Sequence, residues 1–245
     1  MFLKAIIGLV GITALWGAAV PIFDVPHYLL PGPIDVAERL IFLFQRGDLA
    51  WHIYVTLSEV FGGFVLGAVV GIAAALAFAR FPLIERVLTP LILLLQTIPK
   101  IAIAPLLLLW LGLGAAPKVA LVAVVTFFPV MTAMLSGIRY MNKSYADLSH
   151  VLRLSPWQRF WHIELPAAIP TLFAGATVAT TLAMTAAVIG ELMGANKGMG
   201  FVLATGQENA DTATVMGMVI LLSFVGWALF AILDFARRRV EDRFL

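Results

Sequence analysis

Long apolar runs alternate with short polar segments along the chain. Six runs reach membrane-spanning length: approximately Ala5 to Phe23, Val55 to Ala79, Val87 to Leu113, Val119 to Ile138, Ala167 to Ile189 and Ala213 to Leu233. About 20 residues at a rise of 1.5 Å cross the hydrocarbon layer, and no open sheet edge survives there, so each run predicts a transmembrane helix. The pattern places the chain in an all-α integral membrane fold class with six transmembrane helices. Between the first two runs, Pro33 to Arg46 predicts a short helix along the membrane surface. Pro33 suits a first turn, Ile34, Ala37, Leu40, Ile41 and Phe44 form one apolar stripe, and Trp51 and Tyr54 follow at the interface. In the second run Gly63, Gly67 and Gly71 recur every fourth residue, a spacing that lets another helix approach closely.

The third run carries Pro90, Pro99 and Pro105. Each removes a backbone donor and bends the helix, and such breaks persist in a membrane only against protein or a water-filled cavity. This run is therefore expected in the interior, beside a path, with Lys100 deep in the bilayer. The glycine-rich segment from Glu191 to Asp211 reads either as a re-entrant or tightly turned loop lining the outer mouth, or as a simple connector.

Composition agrees with the pattern: of 245 residues, 62% are hydrophobic and 12% charged, against about 25% charged in soluble domains. Residues 1–245 are read as one membrane domain, with no room for a second soluble one. The net charge of +2 is too small for a nucleic-acid footprint, and the absence of cysteine excludes disulfides, thiolate nucleophiles and cysteine metal sites. Placing the N-terminus inside puts eleven Lys and Arg in inner segments, from Lys4 to Arg243, against Arg39, Arg46, Lys118 and Lys197 outside. That asymmetry predicts cytoplasmic N- and C-termini. A cleaved signal peptide at the first run, suggested by Lys4 and Ala18-Ala19, would leave five spans and put the C-terminus on the wrong side for its charges.

Residues 139–166 then make the long cytoplasmic segment, between spans four and five. Leu148, Val151, Leu152 and Leu154 give it an apolar stripe, which in water needs a partner. Ser155 and Pro156 suit the N-cap and first turn of a second helix carrying Trp157, Phe160, Trp161 and Glu164.

The segment "DLSHVLRLSPWQRFWHIELP" resembles the cytoplasmic loop motif of binding-protein-dependent ABC importer permeases: a Glu-Ala-Ala group, then Gly, then Ile-x-Leu-Pro. Asp147 takes the Glu place, Leu148 and Ser149 the Ala places, Arg153 the Gly place, and Ile163, Leu165 and Pro166 the end. The Ala pair is replaced, and Arg153 stands where glycine normally permits a bend. Because positive φ is costly without glycine, the bend is expected to be more helical or displaced. "TLSEVFGGFVLGAVVGI", "QTIPKIAIAPLLLLWLGLG" and "GELMGANKGMGFVL" are similar to successive segments of the nitrate/sulfonate/taurine-type permeases, a family that includes importers of thiamine precursors and other heteroaromatic compounds.

The resemblance implies a type I importer permease of the bacterial cytoplasmic (inner) membrane. It implies a second permease copy, two ATPase subunits holding ATP and Mg, and an extracytoplasmic substrate-binding protein. It also implies ATPase coupling through Asp147, Leu148, Ser149, Val151, Leu152, Arg153 and Leu154, with Trp157, Phe160 and Trp161 as interfacial anchors.

The residues themselves offer no catalytic centre. No G-x-x-x-x-G-K-[ST] phosphate loop, no G-x-S-x-G and no metal-binding spacing among His27, His52, His150 and His162 occurs, so no cofactor is expected in this chain. Ionisable and polar groups in the runs are the candidate substrate path: Glu59, Gln96, Thr97, Lys100 and Glu191. Helix–helix hydrogen bonds explain Gln96 and Thr97 equally well, structural pairing or snorkelling is the alternative for Lys100 and Glu59, and Glu191, near the outer end, also suits a gate or docking role. An ion-gradient carrier working through Glu59 and Lys100 is the alternative from another class.

Overall fold

The computed structural model describes residues 2–141 and 151–244, and every regular element among them is helical. Helix α1 covers Phe2–Ile22, α2 Pro33–Gln45, α3 Asp48–Arg80, α4 Pro82–Thr97, α5 Lys100–Leu111 and α6 Ala115–Arg139. Then α7 (Pro156–Arg159) leads through a π-helical turn, Phe160–Glu164, into α8 (Leu165–Leu192), followed by α9 (Met199–Glu208) and α10 (Thr212–Phe244). Among the described residues, four continuous stretches are long and apolar enough to cross a membrane: α3, α6, α7 through α8, and α10 as far as Val240. The apolar stretch Val10–Ile22 within α1 is shorter.

The third predicted span is not one helix but two, α4 and α5. Of its three prolines only Pro99 interrupts: Pro90 and Pro105 lie inside helices, whereas Ile98, ahead of Pro99, is extended at φ −64°, ψ 128°. The proline ring disfavours helical backbone at the preceding residue. Lys100 stabilises the break by donating from Nζ to the Gln96 carbonyl at 2.6 Å, satisfying one acceptor at the end of α4. The segment read as a loop or connector, Glu191 to Asp211, contains helix α9, which packs against α3, α8 and α10.

Helices α3, α6 and α8 form the centre of the molecule. At the α2 end Val60, Leu121, Val122, Ala183, Ala187, Met199 and Met218 share one core; at the α7 end Ala75, Phe78, Met131, Met134, Leu135 and Ala168 share another. The glycine spacing in α3 sets how closely α6 approaches. A Cβ on Gly67 would stand 2.1 Å from Thr126 Oγ1 and 2.6 Å from the Ala123 carbonyl oxygen. Gly67→Ala is therefore expected to cost about 1–3 kcal/mol by overpacking, measured by equilibrium unfolding of the purified protein in mixed micelles.

Helix α2 forms where the sequence predicts it and is tied to the start of α10. Arg39 pairs with Asp211 and donates from Nε to Thr214 Oγ1 at 2.8 Å, while Thr214 N–H donates to Asp211 at 3.0 Å. Partial burial pushes the Asp211 carboxyl up, but the N–H and O–H of Thr214 and the Arg39 guanidinium outweigh it and hold the group below its ordinary value. A depressed carboxyl contributes stability above its unfolded pKa and loses it as pH falls through the folded one. The tie is thus expected to weaken below about pH 4. Protease protection of the α2 segment, followed as pH is lowered, should fall in that window, and Asp211→Asn should flatten the dependence.

Candidate functional site

The residues that the sequence groups as one path divide between separate polar regions among the apolar helices. The first is fully enclosed at the α2 end. Lys118 in α6 donates from Nζ to Glu59 Oε1 of α3 at 2.8 Å, and both side chains are buried. Beside them Thr56 Oγ1 donates to Glu191 Oε1 at 2.6 Å. The start of α9 completes the cluster: Gly198 N–H donates to His52 Nδ1 at 3.0 Å, Met199 N–H to Thr56 Oγ1 at 2.8 Å, and Gly200 N–H to Glu191 Oε2 at 2.6 Å.

These contacts give Glu191 a physical role. The first N–H groups of a helix have no partner within it and carry partial positive charge, so a carboxylate there both caps and favours the dipole. Caps from α3 and α8 hold α9 against the bundle. The glycines follow from the same geometry: a Cβ on Gly198 (φ +112°) would lie 2.1 Å from Glu191 Oε1, and one on Gly200 2.8 Å from Glu191 Cβ. The run "GELMGANKGMGFVL" thus encodes a carboxylate and the two positions that must leave room for it. Lys118, read from the sequence as an outer-segment cation, and His52 both belong to helices here. Only the positions of Thr56 and His52 one and two turns ahead of Glu59, on the same face of α3, could have pointed to them.

The second region is a cavity of about 690 Å³ bounded by α3, α4, α5, α6 and α8. Leu66, Val70, Ile92, Phe127, Phe128 and Ile189 give it apolar and aromatic walls, and Gln96, Lys100 and Thr185 are its polar side chains. The α4–α5 break puts Gln96 and Lys100 there. Gln96 Nε2 is buried without a hydrogen-bond partner, a donor left open on the wall. Neither Glu59, Glu191 nor Thr97 lines this cavity; Thr97 donates to the Leu94 carbonyl instead. A chamber of about 270 Å³ shares Ile92 and Phe128 with it and extends toward the Glu85–Arg139 ion pair. Concave, mostly apolar spaces of some 300–1,000 Å³ with a few polar groups are what small organic ligands occupy.

At the α7 end, Val151, Leu152 and Trp157 are exposed. Asp147, Leu148 and Ser149 lie outside the described residues. Arg153 adopts φ +48°, so the expected displacement of the bend is corrected: the arginine takes up the left-handed backbone that glycine would supply. Beyond it Leu154 leads to Ser155, which caps α7 by accepting from Gln158 N–H at 3.3 Å. Trp161 packs edge-on against Trp157 and Phe160, with ring centroids 5.5 and 5.2 Å apart.

Comparison with known proteins places this architecture. Residues 67–245 match the family model described as "Binding-protein-dependent transport system inner membrane component". A "Probable ABC transporter permease protein" of Haemophilus influenzae is 31% identical over 92% of this chain and 91% of its own length. The "Formylaminopyrimidine transport permease protein ThiX" of Halalkalibacterium halodurans is 33% identical over 83% of this chain and 81% of its own. Among solved structures, an inward-facing conformation of the MetNI methionine ABC transporter superposes with a TM-score of 0.65 at 19% identity, covering 83% of this chain and 98% of that one, which establishes likeness of fold. The chain is an integral membrane protein that belongs to the family of binding-protein-dependent transport system inner membrane components, the permeases of ABC transporters.

Proposed function

We propose that this chain is the permease subunit of an ATP-driven importer that moves a small organic solute into the cytoplasm by alternating access. The observation that carries the reading is the interrupted α4–α5 pair, which turns Gln96 and Lys100 onto the wall of a cavity between membrane-spanning helices. Non-helical backbone is tolerated at such depth where it lines a cavity. In this reading α1 and the α4–α5 pair complete six spans, both termini face the cytoplasm, and the protein resides in the bacterial cytoplasmic membrane. Residues 139–166 are the cytoplasmic coupling segment of a single permease domain, residues 1–245.

A second copy of the chain closes the cavity from the other side, giving a homodimer. Two ATPase subunits, which bind ATP and Mg, dock on the exposed stripe at Val151 and Leu152, and an extracytoplasmic binding protein delivers solute. A single cation, one amide and two phenylalanines suit either a sulfonate- or carboxylate-bearing compound or a heteroaromatic one. The name of the Halalkalibacterium relative favours the heteroaromatic class. The enclosed Glu59–Lys118 pair and the Glu191 cap serve as structure rather than as path.

Uptake by proteoliposomes distinguishes this from a gradient-driven carrier, with labelled formylaminopyrimidine and an alkanesulfonate as probes. Uptake that requires ATP, the ATPase and the binding protein is the expected result. Uptake by the purified chain alone under a proton or sodium gradient, without nucleotide, would overturn the reading.

A further inference from the structure

Glu164 occupies the position between isoleucine and leucine in "IELP", just where the short helix α7 passes into the spanning helix α8. Its carboxylate is buried, with 2% of its surface exposed, although it lies next to the exposed α7 end of the molecule. Two arginines meet it from different elements. Arg80, the last residue of α3, donates from a terminal nitrogen to Oε2 at 3.0 Å, and Arg159, the last residue of α7, brings Nε to 2.9 Å from Oε1. The Arg159 contact is ionic rather than a well-aimed hydrogen bond, since its Nε–H has no acceptor in line. Both oxygens of one buried carboxylate are thereby shared between the coupling end of the chain and the end of a spanning helix.

The backbone produces this placement. Phe160–Glu164 is π-helical, with Leu165 N–H donating to the Phe160 carbonyl, and the wider turn changes the angular position of every later side chain relative to α7. Single π turns inside helices are frequent at functional positions. Phe160 and Leu165 pack against the apolar cluster to which Ala75 and Phe78 of α3, Met131 and Met134 of α6 and Ala168 of α8 belong, so an apolar core shared by these helices accompanies the ionic contact.

We infer that Glu164 is a positioning residue for transport: a buried ionic pivot that makes the inner end of α3 follow the coupling segment when that segment moves. The inference rests on the proposed role of residues 139–166 in ATPase coupling. A buried charge that loses its partner is strongly unfavourable, whereas apolar surfaces slide past one another at small cost. Separating the π turn from Arg80 would leave the buried carboxylate with only the poorly aimed Arg159 contact, so the low-energy motion carries both together. Helix α3 then transmits the displacement to α6 along their glycine-spaced contact and so to the cavity wall.

The absence of cysteine from the chain makes the test direct, because one introduced cysteine gives one label per copy. Spin labels at His162→Cys, in the π turn, or at Phe81→Cys, immediately after α3, report the distance between the two copies in the complex reconstituted with its ATPase. Vanadate trapping in the otherwise unaltered protein should shift both distances. Glu164→Gln should preserve the shift at position 162 and reduce that at 81 by about half or more, because the physical link between them is cut. Arg80→Gln, which removes a side chain that is 32% exposed and leaves Glu164 its second partner, should do the same if Glu164→Gln fails to assemble. Glu164→Asp, retaining the charge, should restore the shift at 81. An undiminished shift at 81 in both glutamine variants overturns the pivot. No shift at either position in the unaltered complex instead overturns the coupling role on which the pivot rests.

Discussion

Lys118→Met is expected to destabilise the protein by about 3–5 kcal/mol, the cost of leaving a buried charge without its partner. Lys118 and Glu59 are 4% and 2% exposed, at a depth where water cannot replace the missing contact. The Nζ–Oε1 distance of 2.8 Å is that of a charge-assisted hydrogen bond, and the carboxylate loses this donor in the variant. Glu59→Leu should be costly for the mirror-image reason. The double variant should return to within about 1–2 kcal/mol of the starting protein, because well-packed apolar side chains often replace a buried ion pair without net loss. Equilibrium unfolding of all four proteins in mixed micelles gives the coupling energy directly. A small effect of each single change would show that water reaches the pair, and would restore Glu59 as a candidate for the path.

Leu152→Asp carries the second large effect, on coupling rather than stability. Leu152 is 57% exposed and Val151 79%, so neither contributes to the internal core, and a charge at 152 leaves the folded chain intact. In the proposed complex that exposed stripe is the ATPase contact. An interface hot spot is worth about 2 kcal/mol or more, and every 1.4 kcal/mol is about tenfold in affinity. Binding-protein-stimulated ATP hydrolysis should therefore fall by about tenfold or more, while membrane insertion and heat stability of the isolated permease stay unchanged. Normal stimulated hydrolysis in Leu152→Asp would move the docking surface elsewhere on the chain.

Arg153 shows how local sequence and tertiary demand can disagree. Side-chain identity argues against a left-handed residue there, and Arg153 adopts one at φ +48° all the same. Left-handed backbone costs an L-residue about 1–2 kcal/mol, a cost that the surrounding chain can override. Arg153→Gly is accordingly expected to leave the bend in place and to stabilise the turn slightly.

Helix positions were largely legible because a membrane leaves the backbone few choices: apolar length alone predicts where α3, α6, α8 and α10 run. The proline at position 99 was visible, but which of three prolines breaks its helix was not, since Pro90 and Pro105 are accommodated inside α4 and α5. Ser155 and Pro156 announced the start of α7 through capping chemistry that acts over only three residues. The π turn that follows had no such local signature.

The same division separates the polar groups. By itself the sequence determined that the chain spans a membrane, where the long apolar helices run, and that Glu59, Gln96, Lys100 and Glu191 are the groups needing partners, since hydropathy and charge are properties of single residues. Tertiary structure alone decided the partners of the buried carboxylates. Glu59 joins Lys118 across 59 positions, Glu191 joins Thr56 across 135, and Glu164 joins Arg80 across 84. Pairing over such separations depends on how helices rotate and approach about their axes. That is set by the summed packing of their faces, and no single residue or local spacing records it.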